Sequence, residues 1–281
     1  MELKRLGTNK RSFMKISCVQ LAAGKEWKKN LNQSLRLAAK TLSFNPDLIV
    51  FPENFLFRGD PKKLRDVALH GSATALSLFQ TFAKRYQVSL LLGSLVMPSR
   101  KKNYYYNASI LISQTGNVKA IYHKIHLFDV ALPQIKMRES NHFLPGNKVV
   151  TTTIRGIRAG LSICYDLRFP ELYRILTKKG CKIVFVPANF TYPTGKAHWE
   201  VLLRARAIEN QLFIVACGQV GVSPSSGIKS YGNSMIIDPW GKILGRLGNR
   251  KEGVLNLSLD LKSQLKLRRK FPALKHAVLE S

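Results

Sequence analysis

Three side chains in this 281-residue sequence stand where an apolar run gives way to a turn, and each carries reactive chemistry. Cys164 follows Gly160-Leu161-Ser162-Ile163 and precedes a short polar turn, Tyr165-Asp166-Leu167-Arg168, with Pro170 suited to the first turn of a helix. A thiol at such an elbow meets backbone N–H groups without helical partners, which favours its thiolate. Glu53 follows Leu48-Ile49-Val50-Phe51-Pro52. The proline cannot donate to a strand ladder, so the strand ends there and leaves the carboxylate free to act as a general base. Lys124 sits in Tyr122-His123-Lys124-Ile125-His126-Leu127-Phe128-Asp129, a segment denser in His, aromatic and acidic side chains than ordinary surface. Thiol, carboxylate and ammonium together are the parts of covalent acyl transfer. Taken singly, each has a plainer reading: a buried small hydrophobe, an exposed strand-end acid and a surface lysine. His123 and His126 bring no third and fourth ligand with them, so no metal site is predicted.

To meet, these residues need a framework, and the sequence alternates short apolar runs with helical patterns. Strands are predicted at 15–21, 47–51, 88–96, 107–113, 118–123, 159–164, 182–187, 212–218 and 233–238. Helices are predicted over 26–43, 61–86 and 197–210; in the first, Trp27, Leu31, Leu35 and Ala38 recur on one face. No Gly/Ser/Pro-rich linker divides the chain, so residues 14–281 read as a single α/β domain. An internal echo links Leu48-Ile49-Val50-Phe51-Pro52-Glu53-Asn54-Phe55 to Ile183-Val184-Phe185-Val186-Pro187-Ala188-Asn189-Phe190, as two related halves of a sandwich would; only the first copy keeps a carboxylate.

Composition limits the function classes. Lys and Arg number 45 against 16 Asp and Glu, a formal charge of +29. The apolar fraction of 45% suits a globular chain of this length, and no run approaches the roughly 20 apolar residues a membrane span needs. Cys18, Cys164, Cys181 and Cys217 are scattered without a C-x-x-C pair, so reduced thiols and a cytoplasmic setting are expected. Residues 1–13, with Lys4, Arg5, Lys10 and Arg11, read as a basic arm or as sequence ahead of a start at Met14. The basic run 262–275 reads as a solvated face.

Phe51-Pro52-Glu53-Asn54, His123 to Asp129, and Ile163 to Glu171 resemble the three signature blocks of the nitrilase superfamily of carbon–nitrogen hydrolases. They occur in the family's order, with Glu53, Lys124 and Cys164 separated by 71 and 40 residues. The resemblance runs from Met14 to about Pro272. Glu139-Ser140-Asn141 before Pro145-Gly146, Thr194 to Glu209, and Ser230 to Met235 are similar to the superfamily's Nit branch and its deaminated glutathione amidases. Asn233 stands where that branch usually has His, and the C-terminal tail and the large positive charge also depart from it.

The resemblance implies a four-layer αββα sandwich, often joined across a homodimer or higher homo-oligomer. It implies Cys164 as nucleophile and Glu53 as proton shuttle, with Lys124 and the backbone N–H of Tyr165 at the oxyanion. Glu139 would position substrate or Lys124. Arg168 and Lys196 are the expected contacts to substrate carboxylates. No metal and no organic cofactor is required. The implied substrate is a small carboxylate-bearing amide: deaminated glutathione, giving α-ketoglutarate and cysteinylglycine, or alternatively α-ketoglutaramate in an ω-amidase. A chain of +29 also admits a different class, a non-specific binder of nucleic acid or anionic membrane with a vestigial site; no nucleic-acid motif appears, and no specific partner of either kind is expected.

Overall fold

The computed structural model describes residues 12–133 and 135–279. Its strands in the first half of the chain are β1 (Phe13–Gln20), β2 (Leu48–Val50), β3 (Ser89–Pro98), β4 (Tyr105–Ile112), β5 (Val118–His123), β6 (Asp129–Leu132) and β7 (Ile135–Arg138). The second half supplies β8 (Thr151–Ile154), β9 (Ile157–Leu161), β10 (Ile183–Ala188), β11 (Phe213–Gly218), β12 (Met235–Ile237), β13 (Ile243–Arg246) and β14 (Gly253–Asp260). The helices are α1 (Trp27–Thr41), α2 (Leu64–Asp66), α3 (Ser72–Tyr86), α4 (Pro170–Lys178), α5 (Tyr192–Asn210) and α6 (Leu261–Lys270), with a π-helical turn, Val67–Gly71, joining α2 to α3. The arm expected over 1–13 lies outside the described residues except for Ser12 and Phe13, and Phe13 opens β1.

Two six-stranded sheets form, in the orders β14-β1-β2-β3-β4-β5 and β13-β12-β11-β10-β9-β8. Each has a parallel centre, β1-β2-β3 in one and β9-β10-β11 in the other, flanked by antiparallel pairs. Reading the second sheet from β8, the two sequences of pairings are the same, and β2 and β10 occupy equivalent places. The internal echo therefore falls on corresponding strands. Burial on both faces explains why their sequences are continuous apolar runs rather than alternating ones.

The layers follow from which face each residue takes. In β1 and β2, Met14, Ile16, Cys18, Leu48 and Val50 join the core between the sheets, whereas Val19 and Ile49 join the core under α1 and α3 with Leu31, Leu37, Phe79 and Ala83. The period of two divides them. On the far side, Trp199, Leu203 and Ala207 of α5 and Leu172, Tyr173 and Leu176 of α4 pack on the second sheet. The order of layers is α–β–β–α.

Two departures from the predicted elements have physical causes. Helix α5 begins at Tyr192 rather than Ala197, because Pro193 is tolerated in a first turn and Gly195 is demanded by packing. A Cβ at Gly195 would stand 2.3 Å from the Tyr231 ring. Strand β14, which the predicted elements do not include, zips along all of β1 from Phe13↔Asp260 to Gln20↔Gly253 and covers what would otherwise be an open edge.

The turn after β2 is held by β3. A register shift between Leu92 and Leu95 turns Gly93 against that turn and lets Ser94 Oγ accept the Asn54 N–H at 2.8 Å. Phe51, Phe55 and Phe79 interlock beneath it with ring centroids 4.9–5.8 Å apart. Since a Cβ at Gly93 would lie 1.9 Å from Phe51 O, backbone against backbone, Gly93→Ala must displace the turn. We expect a loss of about 3 kcal/mol in denaturant unfolding; a loss under about 0.5 kcal/mol would show that the bulge yields freely.

Candidate active site

Two of the site's four side chains follow parallel strands, β2 and β9, where an α/β sheet presents side chains to a cleft. Glu53 follows β2, Lys124 follows β5, Glu139 follows β7 and Cys164 follows β9. The structure brings all four to one cavity of about 470 Å³.

Lys124, only 2% exposed, is the centre of the cluster. Its Nζ donates to Glu53 Oε1 at 2.9 Å and to Glu139 Oε2 at 2.8 Å. Asn107, in β4, ties the same carboxylates from the other side, with Nδ2 at 2.9 Å from Glu53 Oε1 and 3.0 Å from Glu139 Oε1. The Asn189 N–H donates to Glu53 Oε2 at 2.7 Å and the Phe128 N–H to Glu139 Oε2 at 2.8 Å. Burial by itself would depress the Lys124 ammonium, but Glu139 and Glu53 overturn that and hold its pKa well above the ordinary lysine value. It is a fixed cation.

Cys164 sits at a strained elbow, with φ of 49° in the left-handed region, as the first residue of the single-turn helix Cys164–Arg168. One buried carboxylate fastens it. Asp166 Oδ2 accepts the Ile163 N–H at 2.8 Å and the Tyr122 hydroxyl at 2.7 Å; its Oδ1 accepts the His126 N–H at 3.0 Å and lies 2.7 Å from His126 Nδ1. The elbow and the Lys124 loop are thereby registered to each other. His126 is thus a partner of Asp166, and among the described residues no cluster of His, Cys, Asp and Glu is arranged to hold a metal.

Backbone N–H groups at the elbow favour a thiolate, and burial opposes them. Burial comes first in raising the Cys164 pKa well above the ordinary thiol value, and hydrogen-bonded Glu53 raises it further; Lys124 and the Asn189 N–H pull the other way without prevailing. The resting group is a thiol hydrogen-bonded to a base.

Tyr165 lines the cavity, and its N–H falls at the start of the helical turn, where backbone donors have no partner inside the turn. The two expected carboxylate contacts are placed differently. Arg168 does not line the cavity; it stacks over Tyr165 and Phe190, which do, at 5.6 and 5.3 Å. Lys196 is exposed on α5 and outside the cavity. Thr194 of the same helix does line it, and two residues further on the helix has rotated by about 200°. Basic residues that do line the cavity are Lys124, Arg58, Arg138 and His142.

Asn107, Asp166, Asn189 and Arg58 had no role from sequence. Asn107 had a signal, an amide side chain in the apolar run Ala108-Ser109-Ile110-Leu111 and buried to 2% exposure. Asp166 lay inside the cysteine block, and Asn189 inside the internal echo.

The sequence pattern of the carbon–nitrogen hydrolase family matches residues 15–269. A deaminated glutathione amidase from Synechocystis is 38% identical over 268 residues, covering 93% of this chain and 97% of that protein. The mouse omega-amidase NIT2 is 30% identical, covering 94% of this chain and 95% of its own. Among solved structures, the Caenorhabditis elegans NitFhit protein superposes with a TM-score of 0.90 at 31% identity, covering 95% of this chain and 65% of that one. Fold and sequence agree over nearly the whole length, and the chain belongs to the carbon–nitrogen hydrolase family.

Proposed function

We propose that this amide-hydrolysing enzyme is a cysteine-dependent amidase of small carboxylate-bearing amides, with deaminated glutathione as its substrate. The observation that carries the reading is a buried ammonium bridging two carboxylates, one of them hydrogen-bonded to a thiol on a shared cavity. The 38% identical amidase from Synechocystis supports the substrate.

In this reading the Cys164 sulfur attacks the amide carbonyl while Glu53 takes the thiol proton. Because the thiol is protonated at rest, attack and proton transfer are coupled, and no free thiolate waits in the empty site. The carbonyl oxygen gains charge between Lys124 Nζ and the Tyr165 N–H; one such donor is worth about 100–1,000-fold in kcat. Glu53 then passes its proton to the leaving amine as the C–N bond breaks. A water attacks the thioester, Glu53 takes its proton and returns it to sulfur, and the acid leaves. Glu139 acts through Lys124, as a positioning residue. The chemistry calls on no cofactor.

The second reading, ω-amidase action on α-ketoglutaramate, keeps the mechanism and changes only the leaving group from cysteinylglycine to ammonia. The 30% identical mouse omega-amidase supports it. We also propose that a second copy docks where Val201, Ile208, Trp240 and Phe271 expose apolar surface, with Trp240 and Phe271 edge to face at 6.2 Å. Among the described residues no helix is long and apolar enough to cross a membrane. Four unpaired buried cysteines support a cytoplasmic setting.

Three outcomes are expected. Release of α-ketoglutarate should favour deaminated glutathione over α-ketoglutaramate and fall at least about 10,000-fold in Cys164→Ala; turnover surviving in that variant would remove the nucleophile from the scheme. Alkylation of the unliganded enzyme at Cys164 by iodoacetamide should keep climbing with pH through 9.0, the ordinary thiol value. A rate plateau beginning below neutrality would instead reveal a preformed thiolate. Light scattering should give twice the 31.7 kDa chain mass, shifting to monomer in Trp240→Asp; a monomeric parent protein would dismiss the docking face.

A further inference from the structure

We propose that Arg58 is a specificity-determining residue of this cavity, whose guanidinium holds the carboxylate on the acyl half of an acidic amide. The inference rests on the amidase reading and deepens it.

Arg58 is five residues beyond Glu53, in Phe55-Leu56-Phe57-Arg58-Gly59, and is 6% exposed while lining the cavity. Its Nε donates to Ala23 O at 2.8 Å and Nη2 to Val220 O at 3.0 Å. Nη1 donates to Ser230 Oγ at 2.6 Å and reaches Asn189 Oδ1 at 3.4 Å. All four acceptors are neutral. They fix the plane of the fork without cancelling its charge, and among the described residues no carboxylate lies within ion-pair distance of it. Burial lowers its pKa to about 10, which leaves it cationic at neutral pH.

The comparison within this fold is Arg206. It is buried to the same degree, 5% exposed, but it pairs with Glu209 at 3.0 Å. A buried cation without a counter-charge is costly, and burial on a cavity wall leaves room for a ligand to supply one. Four of the five Arg58 N–H donors are committed to their neutral acceptors, and the remaining Nη2 N–H, together with the uncancelled charge, is what it can offer a carboxylate.

The position identifies which part of the substrate carries the charge. One residue separates Arg58 from the reacting groups: the side chain of Asn189 faces the guanidinium, while its N–H bonds Glu53 Oε2 and faces the Cys164 thiol. A carboxylate at Arg58 thus belongs a few bonds from the scissile carbonyl. Deaminated glutathione and α-ketoglutaramate share such an acyl half and differ only beyond the nitrogen. Recognition by Arg58 makes both substrates acceptable and rejects amides with a neutral acyl chain.

The test compares ammonia release from glutaramate and from pentanamide, which match in chain length and differ in the distal carboxylate. Arg58→Gln keeps an amide N–H where Nε donates to Ala23 O but removes the charge; Arg58→Lys keeps the charge without the fork. The glutaramate-to-pentanamide ratio of kcat/KM should fall at least about 30-fold in Arg58→Gln, the low end for losing one partner of a buried charge pair. In Arg58→Lys it should fall less. A ratio that stays within about threefold, or both substrates falling in parallel, would reduce Arg58 to a structural tie. Glutarate binding by calorimetry to Cys164→Ala, with and without Arg58→Gln, separates this claim from the amidase reading. If the parent enzyme hydrolyses neither amide, that reading fails for this substrate class. Glutarate affinity lost with Arg58 would still sustain the anion site, and equal affinities would overturn it.

Discussion

One buried ammonium held between two carboxylates sets the terms for this molecule. Without Lys124, Glu53 and Glu139 would face the same side chain, Asn107, from a few ångströms apart with no positive charge between them. With it, each attraction acts in a poorly solvated setting, and the cluster holds the base and the cation in fixed geometry. The cost is that both sheets must dock in one register. Glu53 and Lys124 come from the first sheet, but the N–H that orients Glu53 Oε2 belongs to Asn189 at the end of β10 in the second. Packing between the sheets is therefore part of the proposed catalytic geometry.

The elbow shows how competing effects are settled by magnitude. Free N–H groups and Lys124 favour charge on the Cys164 sulfur, whereas burial and Glu53 oppose it. Burial wins. In the proposed scheme, a buried thiol that deprotonates only as it attacks is shielded from adventitious electrophiles and oxidants until a carbonyl is in place, at the expense of needing its base in contact from the start. That explains why so much of the local structure is devoted to fixing two positions: Asp166 fastens the elbow to the Lys124 loop with four close contacts, and Ser94 and the phenylalanine cluster fasten the Glu53 turn.

What was legible in the sequence follows the range of the interactions involved. The strand cores, the three reactive residues and the echo between β2 and β10 are local patterns, and they emerged in place. The partners that make the residues a site are remote in sequence. Asn107 is 54 residues from Glu53, and Asn189 is 136 away. Neither contact has a local signature. Arg168 and Lys196 were chosen because they are basic and near reactive motifs in sequence, but the pitch of a helix carries Lys196 off the cavity. Arg58 was passed over inside an aromatic run, although a charge among Phe55, Leu56 and Phe57 is itself a signal, since such a residue is buried only with a reason.

The charge of +29 and the single buried Arg58 act over different ranges. Surface lysines and arginines raise the local concentration of any anion, but at physiological ionic strength their influence fades over about 8 Å. They govern arrival, and their effect is lost as salt is added. A buried guanidinium on the cavity wall is screened far less, and in the proposed role it acts on the acyl group at the moment of attack. High salt would therefore slow capture of every acidic amide without altering which of them reacts once inside. Net charge on this surface accordingly says little about what the enzyme cleaves, and discrimination falls to the buried residues that line the cavity.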